Sequence, residues 1–203
     1  MTNPSELIVD GERFTFLGGE CEKITNTRKR LPDFVFQRSF ARYFAIEHAH
    51  ISTAEFGSFL FKMSNVFEDE SVSYMTVEPH PVDYYYRHFS FFGLASFKPS
   101  SLVERYIPVM SREGNVDSFL SRGGDVGAFW GSSLKWGIFC DRISWEMAVI
   151  AVSENVDVPK ISGFRCMDRS WLSDYIKSQY RSKDPSNSIA LDFTRRFLVN
   201  YSI

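Results

Sequence analysis

Residues 125–153 constrain this chain more than any other stretch. Residues 126–130, 135–140 and 145–152 are short runs of β-forming side chains, separated by Gly131-Ser132-Ser133-Leu134 and by Asp141-Arg142-Ile143-Ser144. That spacing is the pattern of a β-meander. The third run carries Met147, Val149 and Ala151 on one face and Ala148, Ile150 and Val152 on the other. A strand that is apolar on both faces needs a covering layer on each side of its sheet. Helices over 170–180 and 188–199 can supply part of it. The first places Trp171, Leu172, Tyr175 and Ile176 at helical spacing, and the second Ile189, Leu191, Phe193, Phe197 and Leu198.

Upstream, residues 12–17 alternate and predict a short strand closed by Gly18-Gly19, followed by a solvated loop over 25–32 that carries Arg28-Lys29-Arg30. Aromatic and β-branched residues in the second half of 33–50 predict extended structure. Ser52-Thr53-Ala54-Glu55 is a capping box with Ser52 as the cap. Phe56, Phe59, Leu60, Met63 and Phe67 then form one apolar stripe, and Glu68-Asp69-Glu70 is expected to end that helix in solvent. Residues 71–78 predict a strand covered on both faces and stopped by Pro79 and Pro81. A helical turn over 83–89 presents Tyr84, Tyr85 and Tyr86, a strand returns over 91–97, and a helix over 102–112 contains Pro108, which should kink or shorten it. After a linker at 159–163 come the two closing helices. The reading is one α/β domain of the α+β type over 1–203: a central, mostly antiparallel sheet with its meander at 125–152, covered by helices. The topology of 1–50 is left open, and 168–200 form the C-terminal helical cover.

Composition narrows the function classes. Lys and Arg number 23 against 25 Asp and Glu, a net charge of −2, with 44% hydrophobic and 24% charged residues. That is a folding composition without the basic excess of a nucleic-acid binder. No window approaches 18 uninterrupted apolar residues, so no membrane partner is expected. The start, Met-Thr-Asn-Pro-Ser-Glu, lacks the basic and apolar regions of a signal peptide. Cys21, Cys140 and Cys166 are odd in number and form no C-x-x-C pair, which suits a reducing, cytoplasmic compartment. Aromatics make up 16% of the chain, enough for a large core and some recognition surface.

The constellations that could carry chemistry each have a plainer reading. Ser132 and Lys135 match S-x-x-K, but they sit between two strands, and neither Ser-Asp-Asn nor Lys-Thr-Gly accompanies them. His48-Ala49-His50 puts two imidazoles on one side of a strand, which would suit a metal if His80, His88 or Glu78 completed the set; otherwise they are surface histidines before a helix cap. Cys140 lies among apolar strand residues and reads as core. Tyr84-Tyr85-Tyr86-Arg87-His88-Phe89 has the aromatic and basic mix of a nucleic-acid surface, against which the global charge argues. No G-x-G-x-x-G, P-loop or H-E-x-x-H occurs. No catalytic residue, metal or cofactor is therefore expected. Arg142 and Glu146 could pair across their turn, or with Lys135, Trp130, Trp136 and Trp145 they could rim a partner-binding patch, since Trp and Arg are enriched at interface hot spots.

Gly127-Ala128-Phe129-Trp130-Gly131-Ser132-Ser133, then Lys135-Trp136-Gly137-Ile138, Asp141-Arg142 and Glu146-Met147-Ala148-Val149 give the chain a cadence similar to a group of small bacterial proteins. The likeness extends through Pro79 and Tyr84-Tyr85-Tyr86, over about residues 72–152. That group resembles the immunity proteins of bacterial toxin systems. The resemblance implies a cytoplasmic, non-enzymatic protein that binds and neutralises a cognate protein toxin, with a homodimer left open. A hydrolase with an unrecognised active site, using His48, His50 and nearby carboxylates with or without a metal, or a structural subunit of a phage-like or secretion assembly, remain the other readings.

Overall fold

The meander of the sequence stands in the middle of the sheet. The computed structural model describes residues 5–111, 119, 125–160, 166–180 and 188–202. In chain order its elements are α1 (Gly11–Ile24), β1 (Arg42–Glu47), α2 (Ala54–Val66), β2 (Val72–Glu78), the short turn α3 (Arg87–Phe89), β3 (Leu94–Phe97) and α4 (Leu102–Ser111). β4 (Val126–Gly131), β5 (Trp136–Asp141), the one-turn α5 (Arg142–Trp145), β6 (Met147–Val152), α6 (Arg169–Tyr180) and α7 (Ser188–Tyr201) follow. The strands form one antiparallel sheet in the order β1-β6-β5-β4-β2-β3. Arg112, at the expected end of α4, and residues 161–163 of the expected linker lie outside the described residues.

Strand alternation sorts the core into two layers, as the doubly apolar third strand requires. Tyr74, Phe129, Trp136, Ile138, Ala148 and Ile150 face α2 and α4. Met75, Ala128, Trp130, Phe139, Met147 and Val149 face α1, α6 and α7. Both edges of the sheet are partly occupied. Residues 6–8 lie against β3, with Ile8 N–H donating to the Leu94 carbonyl, and the Met167 amide donates to the Ala45 carbonyl of β1. Such cover protects the unpaired backbone groups that otherwise invite a second chain.

The structure differs from the sequence expectation at α1, at the cap of α2 and at Asp69. Residues 12–17 are not a strand but the first half of α1, whose Leu17, Cys21 and Ile24 are buried at helical spacing. The Asp10 carboxylate caps it by accepting the Arg13 amide at 2.7 Å, and Gly18-Gly19 lie inside the helix rather than in a turn. The cap of α2 is Thr53, not Ser52. Thr53 Oγ1 accepts the Phe56 amide, while Ser52 ends a short 3-10 turn, His48–Ser52. The acidic run after α2 is not wholly solvated either, because Asp69 is buried. The stripe Phe56, Phe59, Leu60, Met63 and Phe67 is buried as its spacing requires. Pro108 sits within α4, and among the described residues no helix is long and apolar enough to cross a membrane.

Candidate functional site

The connection from β5 to β6 is where three of the six expected partner-binding residues, Arg142, Trp145 and Glu146, come together. Asp141, at the end of β5, is fully buried, and its Oδ1 accepts the Ser144 amide at 3.0 Å, which folds residues 142–145 into a single helical turn. Burial pushes the Asp141 carboxyl up from its ordinary range, and the Ser144 amide pulls it back less. Asp141 Oδ2 has no hydrogen-bond partner. Glu146 closes the turn in the left-handed region, at φ 49°, and the chain then enters β6 at Met147. Trp145 therefore belongs to the turn and not to the strand.

This turn is tied down from several sides. Trp145 Nε1–H donates to the Leu31 carbonyl at 3.1 Å, and its ring lies against Phe193 of α7. The Glu146 carbonyl accepts both the His48 amide at 2.8 Å and the Tyr175 hydroxyl at 2.7 Å. Burial, with the charges of Glu47 and Glu146 adding to it, raises the Tyr175 hydroxyl to about 12, so it stays a donor. Arg142 reaches back to Asp125, at 3.8 Å, rather than pairing forward with Glu146 as the turn spacing suggested. Arg142 and Glu146 are exposed, and between them Ile143 leaves 59% of its surface in water. Beside Trp145 a shallow depression of about 340 Å³ is lined by Ile189, Asp192 and Arg196 of α7.

The remaining expected residues go elsewhere. Trp130 and Trp136 are buried at 1% and 0% exposure, on opposite faces of the sheet, and cannot rim a patch. The cause is the double cover: in a sheet with helices on both sides, either direction of a strand side chain leads into core. Lys135 is exposed but directed to Glu154 at 3.0 Å, and that hydrogen bond raises its ammonium pKa. Of the six residues, the structure brings Arg142, Trp145 and Glu146 together. Ile143 was missed by sequence reasoning. Its signal was an apolar residue in a turn whose chemistry favours polar ones.

The nucleophile and metal candidates also resolve. The Ser132 hydroxyl accepts the Glu70 and Ser71 amides, while its S-x-x-K partner Lys135 pairs with Glu154. Burial drives the Cys140 thiol well above its ordinary range, which keeps it protonated and inert at neutral pH. His48 and His50 lie on the 3-10 turn rather than along a strand, and His48 is buried. His80 Nδ1 accepts the Val82 and Asp83 amides, and Glu78 pairs with Arg30. Among the described residues no group of three or more His, Cys, Asp or Glu is placed to hold a metal. Tyr85, in the aromatic and basic run, is buried.

Comparison with protein-family models, with curated proteins and with solved structures finds no match to this chain.

Proposed function

We propose that this chain is a protein-binding module, an immunity protein that neutralises a cognate protein toxin, and that the α5 turn is the centre of its contact face. The observation that carries the reading is Ile143. It is a largely exposed branched apolar side chain, held between exposed Arg142 and Glu146 on a turn fastened by Asp141, Leu31, Tyr175 and His48. A preformed apolar tip with a charged rim is what a hot spot needs, since little ordering entropy is lost on binding. The toxin as partner comes from the likeness of the hairpin at residues 127–149. Nothing in the positions of Cys140, Ser132 or Lys135 gives the chain an activated nucleophile, which supports binding over hydrolysis.

The test is titration calorimetry of the purified chain against the purified product of the adjacent gene. The reading expects a one-to-one complex, weakened about 30-fold or more by Ile143→Asp, with the melting temperature of that variant unchanged within about 2 °C because the residue packs little. Lack of complex formation, or a complex indifferent to both Ile143→Asp and Arg142→Glu, overturns it.

A further inference from the structure

We infer that a second site, separate from the α5 turn, lies in the cleft between α1, residues 27–30 and the end of β2, and that it takes a small zwitterion with an apolar body, the chemistry of a free apolar α-amino acid. The cleft measures about 670 Å³, within the range of small-molecule sites.

Its floor is one face of α1. Phe14, Thr15, Gly18, Gly19 and Glu22 line it, while Leu17, Cys21 and Ile24 face the core. Two consecutive glycines in a helix interior weaken it, and glycine is ordinarily kept there for a left-handed backbone or a close neighbour. Neither reason holds here. A Cβ at Gly18 or Gly19 would meet nothing within 4 Å, and neither residue has a positive φ. What the missing side chains provide is the open volume of the cleft itself.

Of the three charged side chains on its walls, Glu22, Arg28 and Arg30, two of opposite sign are uncommitted. Arg30 is occupied, donating to the Thr27 and Lys29 carbonyls and pairing with Glu78. Arg28 and Glu22 are both exposed cleft residues, and among the described residues the side chain of neither makes an ion pair or hydrogen bond, to each other or elsewhere. A ligand with a carboxylate for Arg28 and an ammonium for Glu22 would satisfy both, and Phe14, Met75 and Val77 offer the apolar wall for its side chain. A purely anionic or purely cationic ligand would leave one of the two facing its own sign.

Calorimetry with L-phenylalanine and L-leucine tests this, with phenylacetate and phenethylamine as ligands lacking one charge each. The inference expects millimolar or tighter binding of an amino acid, at least tenfold weaker binding of both controls, and at least tenfold loss in Glu22→Gln and in Arg28→Ala. Gly18→Leu separates the site from the fold: it should abolish binding while raising the melting temperature. Absence of heat for both amino acids, phenylacetate binding as tightly as phenylalanine, or undiminished binding by the stabilised Gly18→Leu variant would each overturn it.

Discussion

The indole N–H of buried Trp136 donates to the buried carboxylate of Asp69 at 2.7 Å, and the other oxygen of that carboxylate accepts the Ser133 amide, also at 2.7 Å. One side chain thus fastens the end of α2 to the β4–β5 turn. Gly131 leaves the space for it, since a Cβ there would meet Asp69 Oδ2 at 2.2 Å. Asp69→Ala strands two donors and should cost about 3 kcal/mol, while Asp69→Asn, which keeps one acceptor, should cost about half that. Urea unfolding measures both. A loss below about 1 kcal/mol for the alanine variant would mean that the carboxylate does not hold this junction.

Gly18→Ala and Gly19→Ala should each stabilise the protein by about 1 kcal/mol, because alanine favours a helix interior and the new methyl meets no neighbour. The same change at Gly131 should destabilise. Thermal melts of the three variants check this directly. A drop in melting temperature for Gly18→Ala would contradict the helical assignment of α1.

Stability should fall as the solution turns alkaline. Burial raises the Cys21 thiol to about 12 and the Cys166 thiol to about 11, against 9.0 for the free group. A group whose pKa is raised by folding contributes stability that is fully present below its unfolded pKa and is lost as pH rises toward its folded one. The loss should therefore begin near pH 9, at a slope of about 1.4 kcal/mol per pH unit for each fully withheld thiol. Urea unfolding between pH 7 and 10.5 reads that slope, and a curve flat from 8.5 to 10.5 would contradict it. Cys21→Ser should remove part of the slope.

Asp141 carries the same sign at the acid end. Its carboxyl is raised from 3.8 by burial, so its favourable contribution is present below that value and is lost as pH rises through the folded pKa. Asp141→Asn keeps an oxygen to accept the Ser144 amide and removes the titration. Its stability relative to the natural chain should rise between pH 4 and 7, and parallel pH curves for the two proteins would contradict this.

How much of this was legible in the sequence depended on how many faces each element buries. The meander was readable because Met147 to Val152 leave no polar face, and α2 because Phe56, Phe59, Leu60 and Met63 keep one stripe. α1 was hidden. Phe14 and Phe16 alternate like a strand, and Gly18-Gly19 imitate a turn, so the helix that floors the cleft had no local signature. Asp69 looked like one of three solvated acids, because its partners Trp136 and Ser133 lie more than sixty residues away. Trp130 and Trp136 had the composition of a recognition patch, and only the sheet's double cover decides against it. Arg142, Trp145 and Glu146 could be grouped from their turn, and the one signal of Ile143 was an apolar side chain in a stretch whose chemistry favours polar ones.

If the face around α5 neutralises a protein partner, as proposed, growth is its most direct readout. Cells expressing the product of the adjacent gene should stop growing, and co-expression of the natural chain should restore growth. Ile143→Asp, expressed at the same level and with the same melting temperature, should fail to do so. Growth restored equally by both proteins would remove the α5 turn from the account, and no restoration by the natural chain would contradict neutralisation itself.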